Sequence, residues 1–245
     1  MPIINRIADF HEEMTAWRRD LHAHPETAFE EFRTSGIVAA KLEEWGIEVH
    51  RGLGGTGVVG TLKGGGASGI DKSIALRADM DALNMQEQND FPHASKIPGK
   101  MHGCGHDGHT TMLLGAAKYL AETRNFDGTV HFIFQPAEEG KGGAQKMVEE
   151  GLFDLFPVSE VYGMHNWPEM PAGTIAVRTG PIMAAADQFD IKDYVAMSRV
   201  MGITMLISVI DVVLITALAT LGAFIYNMSA AMLGGIEVTL AEDLD

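Results

Sequence analysis

The chain has 245 residues, 46% of them hydrophobic and 21% charged, which suits one large domain or one domain and a fraction. Its formal charge of −15 opposes a phosphate backbone, so a nucleic-acid partner is excluded as a first reading. A single cysteine excludes an internal disulfide framework and fits a reducing compartment.

Ile7, Phe10, Met14, Trp17 and Leu21 recur at helical spacing, which predicts one amphipathic helix over residues 4–23, stopped by Pro25. The opening residues carry early acids and no apolar h-region, so they do not read as a signal peptide. A second helix is expected over 30–45, ended by Gly46. β-prone runs follow at 57–62 (GVVGTL) and 73–77 (SIALR), separated by a GGGASG turn. A helix is expected over 109–123 and a strand over 129–135 (TVHFIFQ), then a short helix over 143–150. Residues 161–165 and 174–178 are further strand candidates. Strands alternating with helices predict an α/β layered domain with a largely parallel sheet, and no internal repeat is present.

In such sheets ligands bind beyond the carboxyl ends of the strands. Asp79 and Asp81 follow SIALR, Glu138 and Glu139 follow TVHFIFQ, and His165 follows VYGM. A fourth cluster, from His102 through Cys104, His106 and Asp107 to His109, precedes a helix. Thiolate and imidazole bind divalent transition metals, and glycines allow close backbone approach. Other readings of that loop are a Gly-rich turn with Asp107 as helix cap, or a nucleophilic Cys104 paired with His106. Adjacent carboxylates are commonly solvated surface charge, Asp79 and Asp81 fit a strand-terminal Asx turn, and a single strand-end histidine can be core. At a strand end, however, one of two neighbouring glutamates can bind metal while the other faces a water to be activated.

Five segments carry a resemblance: LHAHPETAFEE (21–31), LRADMDAL (76–83), MHGCGHDGHTTMLLGAA (101–117), FQPAEEGKGGA (134–144) and YGMHNWP (162–168). Over about residues 1–191 the chain resembles the metallopeptidase M20 family. The similarity is to its amidohydrolase branch, which includes hydrolases of hippurate and of indole-acetic acid–amino acid conjugates. The resemblance implies hydrolysis of N-acyl amino acids or related amides by a site holding two divalent metal ions (Mn, Zn, Co or Ni). It implies Cys104 as bridging thiolate, His106, Glu139 and His165 as further ligands, and Glu138 as general base. Asp81 becomes the acid behind the ligands, and Asp79 stands where related peptidases place a ligand histidine.

The family pattern calls for one more ligand histidine, a lid domain with a dimer surface, and a second half of the catalytic domain. All ten histidines here lie at or before His165, and the pattern is left near Lys192. The expectation is an incomplete M20-type domain over 1–191, with no family dimer surface.

Residues 192–245 carry two basic side chains (Lys192, Arg199) and six acidic ones. Residues 200–228 form a near-continuous apolar run in which Asp211 is the only formal charge, which predicts a single membrane-crossing helix. This tail resembles the membrane segment of a small bacterial membrane-protein family of unknown function. The sequence therefore reads as a chimera, tethered to the inner membrane through 200–228. The basic flank keeps the catalytic part cytoplasmic. The alternative is a non-catalytic, membrane-tethered remnant that binds metal without turnover.

Overall fold

The computed structural model describes residues 5–66, 72–171, 173–177 and 179, all within the first of two units, Met1–Asp187. The elements run α1 (Asn5–Asp9), α2 (His11–Ala23), α3 (Phe32–Glu44), β1 (Glu48–Arg51), β2 (Val58–Lys63), β3 (Ser73–Asp79), α4 (His106–Thr123), β4 (Thr129–Gln135), α5 (Gly143–Glu149), α6 (Leu152–Leu155) and β5 (Glu160–Gly163).

The five strands form one sheet in the order β1-β2-β4-β3-β5. β3 is parallel to both β4 and β5, whereas β2 is antiparallel to both β1 and β4. The expectation of a largely parallel sheet is therefore corrected to a mixed one. Four strands share a direction and β2 alone is reversed, so half the pairings are antiparallel. The cause is chain length. Residues 52–57 are too few for a parallel crossover, which needs a dozen or more residues, so β1 and β2 close as a hairpin. Between β3 and β4 the chain is long enough, and α4 makes the crossover.

β4 is the central strand, and its alternation sorts the two layers. Phe132 and Phe134 face one cluster with Trp17, Val38, Leu42, Val58 and Leu114. Ile133 faces the other with Leu53, Val59, Ala75, Met147 and Leu152. Thus α2, α3 and α4 cover one face while α5 and α6 cover the other. Phe132 is fully buried. Phe132→Ala should cost about 3–5 kcal/mol of unfolding free energy, read by urea denaturation.

Several expectations need adjustment. The single helix over 4–23 is broken at Phe10, whose N–H bonds Ile7 O at 3.1 Å in a turn. Phe10 is buried under the cations of Arg6 and Lys118, which stand 4.6 and 4.5 Å from its ring. Burying that ring takes precedence over an unbroken helical spiral. α4 begins at His106 rather than 109, because contacts of His106 and Asp107 hold its Gly-containing first turn. Asp107 is no helix cap: the N-cap is Gly105, with no side-chain cap bond.

β1 and α6 were not expected, since EVHR lacks apolar alternation and LFDL is a single turn. The strand expected over 174–178 is absent at 174–177, and Arg178 is not described. Thr174 instead closes a turn onto Pro171 O, and Ile175 and Val177 are exposed. β-branched residues favour a strand only where a neighbour pairs with them. Among the described residues no helix is long and apolar enough to cross a membrane. The expected helix over 200–228 lies outside the described residues.

Candidate metal centre

Three strand ends and one helix start converge on His106. β3 delivers Asp79 and, two residues on, Asp81; β4 is followed by Glu138 and Glu139; β5 by His165; α4 opens with His106. Donor atoms of Cys104, His106 and His165 lie within 4.8 Å of one another. So do those of His106, Glu138 and Glu139, and those of Asp79, His106 and His109. The six candidates named from sequence (Asp81, Cys104, His106, Glu138, Glu139 and His165) thus occupy one place. Cys104 Sγ and His165 Nε2 are 3.3 Å apart across 61 residues of chain.

The tautomers of two histidines follow from their partners. His106 Nδ1 lies 2.8 Å from the backbone oxygen of Asp81, and His165 Nδ1 lies 2.7 Å from that of Asn166. A carbonyl oxygen only accepts, so each Nδ1 carries the proton and donates. In the neutral ring Nε2 then presents a lone pair. That of His165 faces Cys104. His106 Nε2 is buried and has no hydrogen-bond partner among the described residues. It stands 3.7 Å from Asp79 Oδ1, 3.8 Å from Glu139 Oε1 and 3.9 Å from Glu138 Oε2.

Lone pairs and carboxylates facing one another make a site that calls for positive charge. The titration directions say the same. Burial, then the Glu139 and Glu138 carboxylates, push the Cys104 thiol up to about 12. Burial alone would lower the His106 pKa, but Asp81, Asp79 and Glu139 outweigh it and raise it. Burial, with Asp79 and Glu139 beside it, also pushes Glu138 up. The donor set of thiol, imidazoles and carboxylates suits a divalent transition metal.

β3 ends at Asp79, so Asp81 stands on the loop just beyond the strand. Its two oxygens accept the backbone N–H groups of Glu138 (3.0 Å) and Glu139 (2.9 Å). Its Oδ1 is also 3.3 Å from His106 Nδ1. One buried carboxylate therefore aligns both glutamates and steadies the central imidazole. Asp79 accepts from His109 Nδ1 and from Arg77, each at 2.7 Å. Burial alone would raise its pKa; the His109 bond, His106 and Arg77 outweigh it and hold Asp79 well below the usual carboxylate range.

His109 was missed as a site residue. The signal was present, since 106 and 109 are three apart and share a helix face. Asn166, against His109 Nε2, gave no signal. A Cβ at Gly105, whose φ is +96°, would come within 2.4 Å of Asn166 Oδ1, so glycine is required there. His102 belongs to none of the three donor groups. Burial lowers its pKa to about 4, so it is neutral. The reading of Cys104 and His106 as nucleophile and base finds no hydrogen bond between them among the described residues; the thiol pairs with His165.

An α/β domain with thiol, imidazole and carboxylate donors gathered at its strand ends is the architecture of a metal-site domain. The chain belongs to peptidase family M20/M25/M40, whose family model matches residues 75–241. It is 48% identical over 192 residues to hippurate hydrolase of Campylobacter jejuni, covering 78% of this chain and 49% of that protein. It is 47% identical over 184 residues to N-acetylcysteine deacetylase of Bacillus subtilis, covering 74% and 47%. Among solved structures it is similar to the Bacillus subtilis YXEP protein, a dinuclear metal-binding peptidase from the M20 family. That match has a TM-score of 0.66 and 46% identity, and covers 71% of this chain and 48% of that one. The chain spans about half the length of the curated relatives it matches.

Proposed function

We propose that residues 1–191 are the N-terminal part of an M20-type amidohydrolase domain that hydrolyses the amide bond of N-acyl amino acids or related small amides. The observation that supports this best is the pair of Nε2 lone pairs, each fixed by a backbone carbonyl and aimed at a thiol or at carboxylates. Cys104, His106, Glu139 and His165 would hold the metal ions. Bound divalent cations would polarise the scissile carbonyl and acidify the attacking water. Glu138 accepts the proton of that water and returns it to the departing amine, a task suited to a carboxyl held above its usual range. Asp81 keeps Glu138 and Glu139 in register through their backbone N–H groups. The family relatives carry the substrate class, through the hippurate hydrolase and the N-acetylcysteine deacetylase.

The test is a Co²⁺ titration of the purified chain. A thiolate-to-cobalt absorption band should appear, vanish in Cys104→Ser, and require at least about 10–100-fold more metal in His165→Ala, the loss seen for removal of even a ligand's supporting partner. A titration without the band overturns the ligand set. Hydrolysis is then assayed on hippurate and N-acetylcysteine. Metal binding without turnover of either is the result expected of a non-catalytic remnant.

We further infer that residues 200–228 tether the chain to a membrane, with the catalytic part on the cytoplasmic side. The length of the apolar run and the Lys192 and Arg199 flank support this. The family-model match, which runs to residue 241, lends no support to a foreign origin for the tail. Recovery of the intact chain in the soluble fraction after a carbonate wash of expressing cells would overturn the tether.

A further inference from the structure

Several buried carboxylates lie outside the metal-facing set, and Glu31 is the most deeply buried of them. Glu31 sits between α2 and α3 and is 0% exposed. Its Oε1 accepts two backbone N–H groups, from Ala137 at 2.9 Å and from Phe29 at 3.1 Å. Its Oε2 accepts the Thr56 hydroxyl at 2.5 Å. Among the described residues no salt bridge to it is formed, so a carboxylate is buried on hydrogen bonds alone. Burial pushes its pKa up, against the pull of those bonds. Such a group is costly to bury, and its geometry shows what it holds.

Both backbone donors belong to strained residues. Ala137 has φ +50° and Phe29 has φ +66°, in the left-handed region that non-glycine residues rarely enter. Each such residue is strained and persists only where its surroundings enforce it. Ala137 is fully buried and directly precedes Glu138 and Glu139. Three consecutive N–H groups, of residues 137, 138 and 139, therefore end on carboxylates: the first on Glu31, the next two on Asp81. Ala137 O is held in turn by Gly143 N–H at 2.9 Å. The left-handed turn at Ala137 sets the direction in which the chain leaves β4, and hence where both glutamates stand relative to His106.

We infer that Glu31 is a positioning residue for the metal centre: by clamping the left-handed Ala137 peptide it fixes the placement of Glu138 and Glu139. This rests on the proposed roles of those two glutamates. The clamp needs an acceptor at Oε1, not a charge. Glutamine supplies that acceptor, and its amide can donate to Thr56, whose hydroxyl rotates to accept. Leucine fills similar space and accepts nothing. Glycine at 137 adopts positive φ without strain, so it removes much of the need for a clamp.

The experiment compares wild type with Glu31→Gln, Glu31→Leu, Ala137→Gly and the double variant Glu31→Leu/Ala137→Gly, all as the full chain. Amide hydrogen exchange at residues 137–139 is read without metal, and Co²⁺ affinity by titration. Glu31→Leu should speed exchange at 137–139 and weaken Co²⁺ binding by about 10–100-fold, the usual size of an effect transmitted through a ligand's support. Glu31→Gln should stay close to wild type in both, and Ala137→Gly should recover much of the affinity lost in Glu31→Leu. A general loss of packing would not be rescued at residue 137. Wild-type exchange and affinity in Glu31→Leu overturn the inference, as does a folded Glu31→Gln as impaired as the leucine variant. If Glu31→Leu does not fold, Glu31→Gln and Ala137→Gly still decide. If wild type binds no Co²⁺, the metal reading fails, and the clamp stands or falls on the exchange data.

Discussion

Replacing Glu138 by glutamine should lower amide hydrolysis by about 10²–10⁴-fold while leaving bound metal unchanged. Glutamine keeps the size and the backbone contact to Asp81 but cannot take a proton from water. The neighbouring change Glu139→Gln should act differently and weaken metal binding first. The two side chains stand almost equally near His106 Nε2, at 3.9 and 3.8 Å, so distance does not assign their roles. A paired measurement does. Metal content by elemental analysis and turnover on hippurate, for both variants, should separate a base from a ligand. Equal loss of metal in both variants would sink the division of labour.

Replacing His22 by leucine should cost about 1–3 kcal/mol, because it removes the imidazole that two buried carboxylates share. His22 Nδ1 lies 2.9 Å from Asp107 Oδ2 and Nε2 lies 3.1 Å from Glu87 Oε1. Arg18 also reaches Asp107, at 3.1 Å. Glu87 further holds Ser95 N–H and the Asn89 amide, so His22 ties the 84–100 loop to the first turn of α4. The Asp107 hydrogen bond leads in raising the His22 pKa above its ordinary value, with burial opposing and Glu87 adding. A raised pKa means that the doubly donating imidazolium stabilises the fold fully below about pH 6.5. That contribution is lost as pH rises through the folded-state pKa, since a neutral ring donates to only one carboxylate. The pKa of His93 is lowered and that of His102 is about 4, so within this cluster the dependence in that window belongs to His22. Urea midpoints measured from pH 6 to 9 should fall for wild type and stay flatter for His22→Leu. A gap between the two that does not change with pH would overturn the imidazolium bridge.

Local order was read most reliably where the chain decides it locally. The strand TVHFIFQ matches β4 residue for residue, because continuous β-branched and aromatic side chains need burial on both faces. α3 follows its apolar spacing and stops before Gly46, and the body of α4 follows its apolar spacing after Gly105. Reading failed at Phe10, at β1, at 174–177 and in the first turn of α4. In each case the outcome was set by a tertiary partner and not by local propensity: Arg6 and Lys118 on Phe10, the hairpin partner β2 for β1, and His22 and Arg18 for Asp107, while among the described residues no strand pairs with 174–177.

The sequence by itself determined which side chains could form a site, because strand ends carry their loops to one edge of a parallel arrangement. It named Asp81, Cys104, His106, Glu138, Glu139 and His165, and it marked 200–228 as apolar enough to span a membrane. Only the tertiary structure decided how those residues meet. It paired Cys104 with a histidine 61 residues away, fixed the proton of His106 on Nδ1 through the Asp81 carbonyl, and reversed β2 within the sheet. It also set Glu31, 106 residues upstream, against the strained peptide before the two glutamates. Propensity and spacing act over a few residues, whereas hydrogen-bond partners in a dry interior are chosen by the packing of the whole domain.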